Sequence, residues 1–227
     1  MTTVDSLTYI VKFSLLTHRD SEFFILFLFF CGRMNVQLNT SAEKRQAIFD
    51  STLKLIKEYG FHGTPMSQIA QEAGVATGTI YHYFTSKEEL IIELFVYCKE
   101  RIQKAIFKPD EINLLYADRF VAIWINFVKY YIRHPEVLSF LEQFSSSPFI
   151  KQVYAENSIC FQDEVSRFLY SGVASGQIKP LDLNIISAAF LGTVAATAKR
   201  HINGHYTFRE EDMKQTAGII WDGIKTS

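Results

Sequence analysis

The sequence has no excess of basic charge: 23 lysines and arginines stand against 24 aspartates and glutamates, a formal net charge of −1 over 227 residues. Proteins that hold nucleic acid by bulk electrostatics carry a strong positive balance, so that class is excluded, whereas a small reading head with a few placed phosphate donors is not. Cysteine is scarce. The three present, Cys31, Cys98 and Cys160, are far apart and form no CxxC or Cys/His cluster. A disulfide framework and a structural zinc site are thereby unsupported, and free thiols in a reducing cytoplasm are expected. Five prolines and 11 glycines leave little room for low-complexity linkers, and no internal repeat is visible.

Long apolar runs are also missing. The most continuous, Phe23 to Cys31, falls well short of the ~20 residues that span a bilayer. It is preceded by Arg19-Asp20-Ser21-Glu22 and followed by Arg33, which is not the pattern of a secretory signal. Residues 1–33 differ in character from the rest. The expectation is that they form a non-native or apolar N-terminal extension, with translation beginning at Met34. Catalytic signatures are lacking too: no GxGxxG, GxSxG or P-loop appears, so no enzyme activity, cofactor or metal is expected. His201 and His205 have metal-ligand spacing, but Gly204 between them ends a helix.

What is present from Ser41 onward is helical periodicity. The first helix carries Phe49, Leu53 and Ile56 as its apolar stripe, widened by Ile48, Leu55 and Tyr59, and stops at Gly60. Thr64-Pro65 reads as an N-cap before a proline at the first helical position. A short helix then runs to Gly74, and a second short one from about Thr77 to Phe84. Ser86 caps a long helix with Glu88 and Glu89 in its first turn. Further helices are expected over about Asn113–Arg133, Pro135–Phe144, Pro148–Ser175, Leu181–Asn203 and Arg209–Lys225, separated by Pro, Gly or Ser. The fold class is all-α: a helix-turn-helix domain over 41–87 and a helical bundle over 88–227.

The segment from Gly60 to Leu90 holds the most information. A short helix, a glycine turn and a second short helix is the plan of a helix-turn-helix, whose second helix enters the DNA major groove. Ile69, Ala70 and Ala73 let the two helices pack closely, and Gly74 permits the positive φ of the turn. Val75 and Ile80 anchor the second helix, leaving Thr77, Gly78, Thr79, Tyr81, His82 and Tyr83 on or near its outer face. Gly78 lets the backbone approach DNA.

Thr64, Ile69-Ala70, Ala73-Gly74-Val75, Gly78-Thr79-Ile80-Tyr81-His82-Tyr83-Phe84 and Ser86-Lys87-Glu88-Glu89-Leu90 stand in the order and spacing of the tetracycline-repressor family signature, and the chain resembles that family over about 42–95. The resemblance implies an operator-binding homodimer. Thr77, Gly78 and Thr79 would meet bases or sugar-phosphate, Tyr81, His82 and Tyr83 would lie along phosphates, and Lys87 would clamp one. Thr64 and Ser67 fall at the edge of the same surface; Ser67 replaces the arginine of many relatives. The last two helices, one rich in Ala and Gly and one striped by Met213, Ala217, Ile220, Trp221 and Ile224, would pair with their copies. The aromatic middle region would hold a small apolar or aromatic inducer, with Trp124, Phe127, Phe144 and Phe161 as walls and Glu142 selecting charge. The rival reading is a helical protein-interaction or small-molecule-binding module without operator activity.

Overall fold

The computed structural model describes residues 41–150 and 164–226. The chain divides into two compact units, 1–46 and 47–227. Of the first, only 41–46 are described, and they are helical; the expectation about residues 1–33 lies outside the described residues, as do Cys31, Cys160 and Phe161.

Among the described residues the chain is all-helical, its one β-bridge joining Ile178 to Lys225. Helix α1 covers 41–59, α2 Met66–Glu72, α3 Thr77–Tyr83 and α4 Lys87–Ile106. A 3-10 turn over Pro109–Glu111 leads to α5, Tyr116–Arg133, then α6, Pro135–Ser145, and α7, Glu164–Ala174. Helices α8, Leu183–Ile202, and α9, Glu210–Ile224, close the chain. Asp182 caps α8, its carboxylate accepting from the Asn184 amide at 2.7 Å. The stretch 113–115, expected to be helical, lies outside α5, and its Leu114 and Leu115 are exposed.

Helix α5 is the hub, packed on α4, α8 and α9. Its buried residues, Phe120, Ile123, Trp124, Ile125, Phe127, Val128, Tyr130 and Tyr131, cover a broad face that reaches all three partners, while Asp118, Asn126, Lys129 and Arg133 share the opposite side. Trp124 is fully buried, and its indole N–H donates to Thr193 Oγ1 on α8 at 3.2 Å. Phe120 meets Phe190 edge-on at 5.2 Å and lies 5.2 Å from the Trp221 ring. Tyr116 stacks on Phe168 at 4.5 Å and donates to its carbonyl at 2.8 Å, tying α7 to the start of α5.

That last contact depends on Gly172. A Cβ there would sit 2.2 Å from Tyr116 Oη and 2.8 Å from Ile178 Cδ1. Gly172→Ala is therefore expected to destabilise the fold by about 1–3 kcal/mol through overpacking, measured as a lower denaturation midpoint with an unchanged slope. Cys98 is buried on α4, and burial pushes its thiol up to about 12. It acts as a small apolar residue.

Candidate nucleic-acid interface

Helices α2 and α3 form the reading head, packed on each other. Their turn works as the sequence suggests. Gly74 takes φ +66°, and the Val75 amide donates back to Ala70 O at 2.9 Å. A Cβ on Gly74 would meet nothing within 4 Å, so backbone conformation, not space, requires glycine. Ile69, Ala70, Ile80 and Phe84 are buried beneath the pair, and Phe84 meets the Phe49 ring of α1 at 5.5 Å. With Ile80 fixed inward, the helical period turns Thr77, Gly78, Tyr81 and His82 outward, and all four are exposed. Thr79 and Tyr83 are half-buried, and the Tyr83 ring packs edge-on against His82 at 5.7 Å. Among the described residues nothing comes within 4 Å of the position of a Gly78 Cβ, so the backbone there faces open space. Ser67 is exposed on α2.

Thr64 departs from expectation. It is completely buried, and its hydroxyl donates to Gly60 O at 2.8 Å. The residue before α2 is Pro65, with no side-chain cap. Thr64 therefore closes the turn after α1 and presents no hydroxyl to a ligand, a correction to both roles read from its sequence position. Tyr59, expected in the α1 stripe, is exposed.

Lys87 opens α4 just after Ser86, whose hydroxyl accepts from the Glu89 amide at 3.1 Å. Glu89 in turn accepts from the Thr85 amide and hydroxyl, which together hold its carboxyl below the usual range. Lys87 is half-buried, and its ammonium donates to the Phe61 carbonyl in the α1–α2 turn. Desolvation there lowers its pKa, against the pull of Glu88. One of its donors is thus engaged at the α1–α2 turn, and the side chain lines an open groove there.

The residues expected around an inducer divide. Trp124, Phe127 and Phe144 are buried, with Phe144 stacked on Phe95 of α4 at 4.3 Å. Glu142 is exposed and pairs with Lys199 at 3.0 Å, so it does not select charge inside the bundle. Its neighbour on α6 has a different place: Gln143 reaches back to α1, donating to Ile56 O at 3.2 Å. No local signal in the sequence points to that contact. Nor does His201 look toward a metal, since its Nδ1 accepts the Phe208 amide at 3.2 Å. Among the described residues no group of three His, Cys, Asp or Glu is placed to hold one, and no helix is long and apolar enough to cross a membrane.

A three-helix head with an outward-facing second reading helix, joined by one long helix to an all-helical bundle, defines a helix-turn-helix regulator. The family model for bacterial regulatory proteins of the tetR family matches residues 48–94, and that for the tetracyclin repressor-like C-terminal domain matches 116–225. The chain is 29% identical over 160 residues to the fatty acid metabolism regulator protein of Bacillus subtilis, covering 68% of this chain and 81% of that one. It is 26% identical over 180 residues to an HTH-type transcriptional regulator of Haemophilus influenzae, covering 79% and 95%. A TetR family transcription regulator from Marinobacter aquaeolei shares the fold with a TM-score of 0.76, at 20% identity over 83% of this chain and 99% of that one. This chain belongs to the tetR family of bacterial regulatory proteins and is a DNA-binding transcriptional regulator.

Proposed function

We propose that the protein is a non-catalytic repressor of the bacterial cytoplasm that binds a palindromic operator as a homodimer and releases it when a small apolar molecule enters the bundle. The outer face of α3 carries this reading. Thr77, Gly78, Tyr81 and His82 stand exposed while Ile80 and Phe84 hold the helix from behind. Thr77, Gly78 and Thr79 face base edges; Tyr81, His82 and Tyr83 lie along the phosphates, with Ser67 at the rim. Lys87 has three N–H donors and lends one to Phe61, so a phosphate can share the others. An electrophoretic shift assay with the DNA flanking its own gene tests the reading; wild-type protein that ignores every duplex at low salt sinks it.

The homodimer is supported by α8 and α9. On α8, Ile185, Leu191 and Ile202 are exposed together with Ala188, Gly192 and Ala196, and on α9 Ile219 is 73% exposed. Apolar residues interleaved with small ones let a second pair of helices approach closely, and a twofold axis pairs each patch with itself. Ile185→Asp combined with Ile219→Asp is expected to yield monomers by light scattering, with operator affinity reduced a hundredfold or more, because one head alone loses the partner's contacts.

The ligand reading rests on α5. Trp124 and Phe127 supply apolar walls, and the Tyr130 hydroxyl is buried with no hydrogen-bond partner among the described residues. An orphaned buried hydroxyl costs about 1–3 kcal/mol, which a ligand's polar end recovers. Fatty acyl compounds are the first to try, given what the Bacillus subtilis relative regulates. Operator release by one of them, absent in Tyr130→Phe, supports the site.

A further inference from the structure

We propose that Gln143 is the positioning residue through which helix α6 of the bundle sets the angle of the reading head. The inference rests on the operator-binding homodimer proposed above and adds how the two heads are kept at one separation. The observations begin at the end of α1. Helix C-termini leave carbonyls without partners, and Ile56 O already accepts the Gly60 amide at 2.8 Å. Gln143 Nε2 supplies that carbonyl with a second donor, from a helix 87 residues further along the chain. Its Oε1 lies 3.4 Å from where a Gly60 Cβ would be, which puts the amide beside the φ +69° turn.

The turn itself is a closed block. Thr64 bonds Gly60 O, and Lys87 bonds Phe61 O from the first residue of α4. Phe61 stands edge-on to Phe140 and to Phe149, each at 5.9 Å, and Phe144 of α6 stacks on Phe95 of α4. Helix α6 therefore touches the head's turn and the long helix that carries it. Beside the joint lies an open groove of about 510 Å³ lined by Tyr59, His62, Lys87, Gln143, Ser147 and Phe149. A close-packed joint would hold its angle by contact on every side. Among the described residues one side is open, so the angle rests on the ring contacts and on directed bonds, of which Gln143 makes one that reaches α1 from α6.

The test uses the full chain and a random duplex pool with inverted half-sites at variable spacing. Gln143→Glu keeps the shape and removes the donor, and Gln143→Met removes both polar groups. Thermal unfolding reports whether each variant folds. Wild-type protein is expected to select a narrow spacing. Both variants should accept a wider range and bind the wild-type choice about three- to tenfold more weakly, with unchanged affinity for non-specific duplex. A merely structural role would lower stability without moving the preferred spacing. Folded variants that keep the wild-type spacing preference overturn the joint alone. Wild-type protein that selects no duplex overturns the operator reading, and the joint with it.

Discussion

Gly78→Val protein is expected to fold like the wild type and to lose operator affinity about tenfold to a hundredfold, the size of one or two mismatched base contacts. The fold tolerates the change because nothing lies within 4 Å of a Cβ at this position and the helix is exposed there. Valine and glycine differ by only a few tenths of a kcal/mol in helix propensity, so the unfolding midpoint should scarcely move. The loss falls on binding because an isopropyl group would stand between the α3 backbone and the groove, displacing Thr77 and Thr79 together. Gly78→Ala should fall between, with slightly raised stability and a smaller loss. Equilibrium titration of labelled operator beside a thermal melt separates the two quantities. An unchanged affinity in Gly78→Val would move the DNA-facing surface away from the start of α3.

Phe84→Ala should act through the opposite route. The ring is fully buried just past the end of α3, and its amide donates to Ile80 O at 3.0 Å. It meets Phe49 of α1, which in turn lies 4.8 Å from the Tyr97 ring of α4. Removing it leaves a cavity where α1, α3 and α4 converge, at a cost of about 3–5 kcal/mol. Since a domain's whole margin is about 5–15 kcal/mol, the reading head should unfold first while the bundle around α5 keeps its helices. Circular dichroism is expected to show a small early transition ahead of the main one, with operator binding lost across that first step. A single transition near the wild-type midpoint would contradict this account.

Much of the molecule was legible in the chain because the relevant physics is local. Gly60, Gly74, Gly176 and Gly204 take positive φ at or just after helix ends. Pro135 opens α6, and Ser86 caps α4 by accepting from the amide of its third residue, Glu89. The period of apolar residues placed Phe49, Leu53, Ile56, Ile69 and Ile80 inside, and all are buried. From Ile80 alone the outward set on α3 follows, since one helix face leaves the other. Helical reach also explains two misreadings. Tyr59 fits the α1 stripe by spacing, yet it lies in the last turn before Gly60, where the stripe has run past its partners and the ring is exposed. Thr64 sits where a capping hydroxyl would be, but its hydroxyl donates to the Gly60 carbonyl, and Pro65 takes the position before α2.

Sequence alone settled the helix-turn-helix, the side of α3 that faces outward and the ends of most described helices, because capping, glycine turns and apolar periodicity act within about four residues. Tertiary structure alone decided that Lys87 turns in to Phe61, that Glu142 spends its charge on Lys199 at the surface, and that Gln143 grips the end of α1. Those partners stand 26, 57 and 87 residues apart, brought together only by the packing of whole helices.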